Sequence, residues 1–195
     1  MLFRSAHAAG LPAGILQVIT GPGGLLGDAL VTHPLIRKVS FTGSTEVGRR
    51  IMELASRNLT RVSLELGGKS PNIVFADADW EKAADASPMS VFANTGQDCC
   101  ARSRVYVERP IFEKFVERFA AATRKLVVGD PSNEATQLGP MVSAAQRQTV
   151  EDYLADARRN GSTVVCGGGR LPSSGFYLEP TVLTGVAPDH RCWRE

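Results

Sequence analysis

Apolar positions along this chain switch repeatedly between a two-residue and a 3.6-residue period, which predicts strands alternating with helices. Residues 2–9 read as the end of a helix, stopped by Gly10 with Pro12 just beyond. A short apolar strand is expected over residues 15–19, then a turn at Gly21-Pro-Gly-Gly24 and a helix over about 25–32. A second strand covers residues 38–42 and ends at Gly43, and Ser44 or Thr45 caps a helix over about 46–57. The third strand, residues 60–66, is broken by Gly67-Gly68, and Pro71 opens a fourth that runs to Phe75.

Beyond it, Asp79 caps a helix expected to be interrupted at Pro88 on its way to Asn94, and residues 104–108 form the next strand. Pro110 opens an amphipathic helix over 111–126, with Phe112, Phe115, Val116, Phe119 and Leu126 at helical spacing and therefore in a core. A Pro- and Gly-rich loop over 129–142 leads to a helix over 143–159, a strand over 163–165, a glycine turn at Gly167-Gly-Gly169 and a final strand over 177–183. The pattern is α/β. The glycine pair at 67–68 is a natural place for a domain change, giving one domain over 1–66 and another over 67–195.

At 195 residues and 43% apolar content the chain can bury a substantial core. The net charge of +2 is spread over 22 basic and 20 acidic side chains without a run of either sign, so no nucleic-acid or membrane surface is expected. No apolar run approaches the roughly 20 residues that span a bilayer, and Arg4 interrupts the start too early for a secretory leader. The cysteines, Cys99, Cys100, Cys166 and Cys192, show no C-x-x-C spacing, so neither a metal site nor a disulfide framework is expected. Reduced thiols suit a cytoplasmic enzyme.

The candidate chemistry lies between Arg61 and Arg104. Glu65 sits inside an apolar run that stops at Gly67-Gly68, and Cys99 follows the Gly96-Gln97 break at the end of an apolar helix. Each alone has a plain structural reading: Glu65 as a surface or ion-paired carboxylate, Cys99 as a small core side chain. Together, with glycines beside both, they suit a nucleophile and a base. Gly21-Pro-Gly-Gly-Leu-Leu-Gly27 fails the G-x-G-x-x-G spacing because Leu26 holds the third glycine position. The strand, Gly43 and helix start at Ser44 form either an ordinary capped turn or an anion site built from free backbone N–H groups.

Glu65-Leu-Gly-Gly-Lys-Ser-Pro71, Gly96-Gln-Asp-Cys99 and Phe41-Thr-Gly-Ser-Thr-Glu-Val-Gly48 resemble the signature segments of the aldehyde dehydrogenase superfamily, in the family's order and spacing. The similarity runs from Ala9-Gly-Leu-Pro12 through Phe176-Tyr-Leu-Glu-Pro-Thr181 to the last residue, and the chain resembles a middle portion of longer family members. The resemblance implies the end of a Rossmann-like nucleotide-binding domain followed by part of an α/β catalytic domain. It implies Cys99 as nucleophile and Glu65 as general base, its pKa raised by an apolar setting. Gly23, Gly43, Ser44, Val47 and Leu66 would contact NAD or NADP, NAD being the commoner. It further implies a small aldehyde substrate, homo-oligomeric full-length enzymes, and little turnover by this chain alone, because the family's upstream Pro-Trp-Asn segment and the cofactor-contacting lysine have no counterpart here. Cys100 is expected to point away from Cys99 into local packing, and Asp98 to raise the neighbouring thiol's pKa or shape the substrate mouth. A cysteine hydrolase using His7, His33 or His190, and a non-catalytic remnant, are the alternatives.

Overall fold

The computed structural model describes residues 2–172 and 175–195. The chain divides into two compact units, one ending at Leu66 and the other running Gly67–Glu195.

In the first unit, helix α1 (Leu2–Ala8) and helix α2 (Gly23–Val31) precede strand β1 (Lys38–Gly43), helix α3 (Thr45–Ala55) and strand β2 (Arg61–Leu66). The two strands pair in parallel, Val39 opposite Val62, Thr42 opposite Glu65 and Gly43 opposite Leu66. Parallel neighbours need a crossover, and α3 supplies it. Period-2 alternation turns Val39, Phe41, Val62 and Leu64 to one face, where they pack on Val31, Ile51, Leu54 and Ala55. Arg50 bridges α3 to α2, its Nε donating to Asp28 Oδ1 at 2.9 Å.

The strand expected over residues 15–19 does not form. Its apolar side chains are exposed, Ile15 at 66%, Val18 at 59% and Ile19 at 62%. A strand needs a ladder partner, and among the described residues the only ladder of this unit joins β1 to β2.

The second unit contains β3 (Pro71–Val74), α4 (Trp80–Phe92), β4 (Arg104–Val107), α5 (Phe112–Arg124), α6 (Ala144–Arg159), β5 (Thr163–Cys166), β6 (Val182–Thr184) and the short α7 (Arg191–Arg194). β3 and β4 pair in parallel around the α4 crossover. β5 and β6 pair antiparallel. Of the predicted stripe, Phe115 and Phe119 of α5 are buried, stacking with ring centroids 5.8 Å apart and packing on Val74, Ala84 and Ile111, while Phe112, Val116 and Leu126 are half-buried. Asp79 and Ser143 cap α4 and α6, their side chains accepting from the amides of Lys82 and Gln146.

α4 and the last strand also depart from their expected bounds. α4 runs unbroken past Pro88, whose ring is buried; packing in the core holds the helix together although one backbone hydrogen bond is lost. The last strand is confined to Val182–Thr184 rather than 177–183. Pro180 has no N–H to give a ladder, so Leu178 makes only an isolated bridge to Arg170. No helix among the described residues is long and apolar enough to cross a membrane.

Candidate functional site

In the first unit, the candidate positions gather where the parallel strands end. Gly43 and Leu66 are ladder partners. Ser44, in extended conformation, caps α3 by accepting the Val47 amide at 3.3 Å. The amides of Thr45 and Glu46 find no acceptor among the described residues, so α3 presents open donors and the positive end of its dipole at the carboxyl ends of β1 and β2. Leu66 lies against this helix: a Cβ placed on Gly48 would come 2.8 Å from Leu66 Cδ2. Gly43, Ser44, Val47 and Leu66 are thus brought together, with Val47 exposed.

Gly23 stands apart as the first residue of α2, exposed, with no atom within 4 Å of where a Cβ would sit. Glu65 lies opposite Thr42 on the strand face turned away from α3. It is exposed, and has no hydrogen-bond or ion-pair partner among the described residues. The apolar setting expected for it is not what β2 provides, because the alternation that buries Leu64 turns Glu65 outward.

Cys99 belongs to the second unit, in the loop after α4. That helix ends in an unusual turn: Asn94 (φ 52°), Thr95 (φ 59°) and Gly96 (φ 73°) are all left-handed. Such a run is strained for side-chain-bearing residues and persists only when held from outside. Thr95 Oγ1 donates to the Gly139 carbonyl at 3.1 Å, Asn94 Nδ2 to the Gln97 carbonyl at 3.0 Å, and Gln97 Oε1 accepts the Val142 amide at 3.0 Å. Gln97 therefore pins the loop to a segment far along the chain, a role nothing in the local sequence signals.

Asp98 then accepts the Cys100 amide on Oδ1 at 3.0 Å, and its carbonyl accepts the Ala101 amide at 3.1 Å. Cys99 is exposed on this turn, and its own amide finds no acceptor among the described residues. Cys100 does not point away into packing. It too is exposed, with Sγ 3.8 Å from Cys99 Sγ, because the turn fixed by Asp98 carries both thiols to the same side. The Cys100 thiol, foremost, and the Asp98 carboxylate push the Cys99 thiol above its ordinary pKa, since each disfavours a second negative charge beside it.

A cavity of about 860 Å³ in the second unit, partly open to solvent, is lined among others by Phe92, Gln97, Tyr106, Phe115, Met141 and Leu178. It touches the back of the Cys99 loop through Gln97, while Cys99 itself is not on its wall.

The sequence profile of the aldehyde dehydrogenase family matches residues 1–195. The chain belongs to the aldehyde dehydrogenase family. Among relatives, this aldehyde dehydrogenase chain is 41% identical over 194 residues to the NADP-type succinate-semialdehyde dehydrogenase of Escherichia coli K12, covering 100% of the chain and 40% of that protein. It is 47% identical over 199 residues to the betaine aldehyde dehydrogenase of Brucella ovis, with 100% and 40% covered. Among solved structures, the NAD-dependent aldehyde dehydrogenase of Sinorhizobium meliloti superposes with a TM-score of 0.96 at 42% identity, covering 100% of this chain and 39% of that one. The betaine aldehyde dehydrogenase of Staphylococcus aureus, solved with NAD+, gives 0.95 at 36% identity, with 100% and 39% covered. The chain has the α/β fold of these enzymes and spans about two fifths of their length.

Proposed function

We propose that this chain carries the nucleophile and the general base of an NAD(P)-dependent oxidation of an aldehyde to a carboxylic acid, with the unit ending at Leu66 as part of a nucleotide-binding domain and Gly67–Glu195 as part of a catalytic domain. The observation that carries the reading is Cys99 itself: an exposed thiol with an open backbone amide, on a strained loop held by Gln97 and Thr95, in a chain of this family. The Cys99 sulfur adds to the carbonyl carbon and holds it first as a thiohemiacetal, then as a thioester. The Cys99 amide donates to the oxygen while it bears negative charge, a contribution that is often the largest electrostatic one in such reactions. Glu65, a carboxylate free of ion pairs, takes a proton from the water that cleaves the thioester.

The residues present fit a dinucleotide. Open donors at the start of α3 suit a pyrophosphate at Ser44, with Gly43, Val47 and Leu66 beside it and Gly23 free for close backbone approach. When bound, a nicotinamide supplies the hydride acceptor. NAD is the first candidate and NADP the second. We read the substrate class as small aldehydes, the whole enzyme as a homo-oligomer, and its compartment as the reducing cytoplasm that four free cysteines suit. The 195-residue chain alone is proposed to turn over aldehydes negligibly.

The test is a chimera in which these residues replace the matching segment of the E. coli relative. Cys99→Ala is expected to abolish nicotinamide reduction, and Glu65→Gln to leave one acylation burst without steady turnover. A folded, active chimera indifferent to Cys99→Ala refutes the assignment, and so does robust oxidation by the 195-residue chain that does not depend on Cys99.

A further inference from the structure

The turn at Asp98 collects three ligand atoms of a kind that the oxidation does not require together. The Cys99 and Cys100 sulfurs are 3.8 Å apart, and the Asp98 carboxylate completes a group whose ligand atoms all lie within 4.8 Å of one another. Two sulfurs held by one tetrahedral zinc at about 2.3 Å each are separated by about 3.8 Å. A disulfide would need them at about 2.05 Å, which adjacent residues in ordinary geometry do not reach. The spacing therefore matches a chelate rather than a bond.

The frame is also in place before any ion arrives. Asp98 Oδ1 is engaged by the Cys100 amide at 3.0 Å, the turn is closed by the Ala101 amide, and Gln97 and Thr95 anchor the loop. The Asp98 carboxylate also interacts with the Cys99 thiol, so all three groups already face one another. All three side chains face solvent, so an ion can reach them and a water can take the fourth position. Two thiolates with one carboxylate select a thiophilic divalent cation over magnesium or calcium, which prefer oxygen alone. This pattern of adjacent ligands is invisible to a search for C-x-x-C spacing.

We propose that Asp98, Cys99 and Cys100 form an inhibitory site for a thiophilic divalent cation, zinc being the probe of choice. On binding, each of the two thiols gives its proton to solvent and its sulfur pair to the cation, which keeps its charge state throughout. The binding stands on the geometry of the turn and needs no turnover. Only its consequence, that an occupied site cannot attack a carbonyl, rests on the reading of Cys99 as nucleophile.

The experiment titrates chelator-treated 195-residue protein with zinc against a chromophoric zinc indicator, and with cadmium to read the thiolate charge-transfer band. One site is expected at micromolar zinc, with proton release. Cys99→Ala and Cys100→Ala should each weaken it by at least about tenfold, since loss even of an outer-shell partner costs about 10–100-fold. Asp98→Asn should weaken it measurably, and the Cys166→Ser/Cys192→Ser double variant should keep it. Absence of binding, binding that survives Cys100→Ala, Asp98→Asn binding equal to the parent, or binding lost with Cys166 and Cys192 would each overturn the proposal. Failure of aldehyde oxidation in the chimera would leave this result untouched.

Discussion

Replacing Gly167 by alanine tests how closely the second unit is packed behind β5. Gly167 sits at φ +75°, and a Cβ there would lie 2.1 Å from the Pro180 carbonyl oxygen and 3.0 Å from Thr181 Cα. Gly161 supplies the control, with nearly the same backbone at φ +83° but nothing within 4 Å of its Cβ position. The left-handed conformation alone costs an alanine about 1–2 kcal/mol, which is all that Gly161→Ala should lose. Gly167→Ala adds a collision with backbone that cannot rotate aside, worth about 1–3 kcal/mol or more by the usual cost of overpacking. Its total, about 2–5 kcal/mol, is a large part of the 5–15 kcal/mol that typically holds a domain. Both tryptophans, Trp80 and Trp193, lie in the same unit, so their fluorescence during urea unfolding reports on both variants. At unchanged m-value the midpoint shifts convert directly to free energies. Equal losses within about 0.5 kcal/mol, the scatter expected of independent sites, would show that the Pro180 carbonyl does not press on Gly167 and would refute the packing described.

Two further outcomes follow from the site and the core. In chelator-treated protein, alkylation of Cys99 by a neutral reagent should reach half-maximal rate at higher pH than for an ordinary cysteine. A raised pKa leaves less thiolate near neutrality, so Cys100→Ala, and to a smaller extent Asp98→Asn, should move that midpoint down. Mass spectrometry of the labelled peptide reads it, and an unmoved or higher midpoint in Cys100→Ala contradicts the cause assigned. Phe115→Ala removes a ring only 2% exposed that stacks on Phe119, and should cost about 3–5 kcal/mol. A loss under about 1 kcal/mol in urea unfolding would mean that α5 does not form the core.

Local pattern was enough for much of this molecule. The βα alternation, the caps at Ser44 and Asp79, and the buried phenylalanines of α5 are consequences of residues within one or two turns of each other, so periodicity and cap chemistry expose them. The three signature segments likewise named the family, because a short run of glycines, a carboxylate and a thiol is legible without coordinates. Other features depend on partners distant in the chain. Residues 15–19 have a strand's composition, yet a strand exists only where a neighbour offers a ladder, and β1 is already paired to β2. Pro88 stays helical because its ring is buried, and Pro180 shortens the last strand because a ladder needs its absent N–H. The three left-handed residues before Gln97 and the thiols of Cys99 and Cys100 side by side were likewise decided in three dimensions, whereas the outward turn of Glu65 follows from strand alternation alone. Side-chain direction at a loop is set by what pins the loop, and here the pins come from Gly139 and Val142, more than forty residues downstream.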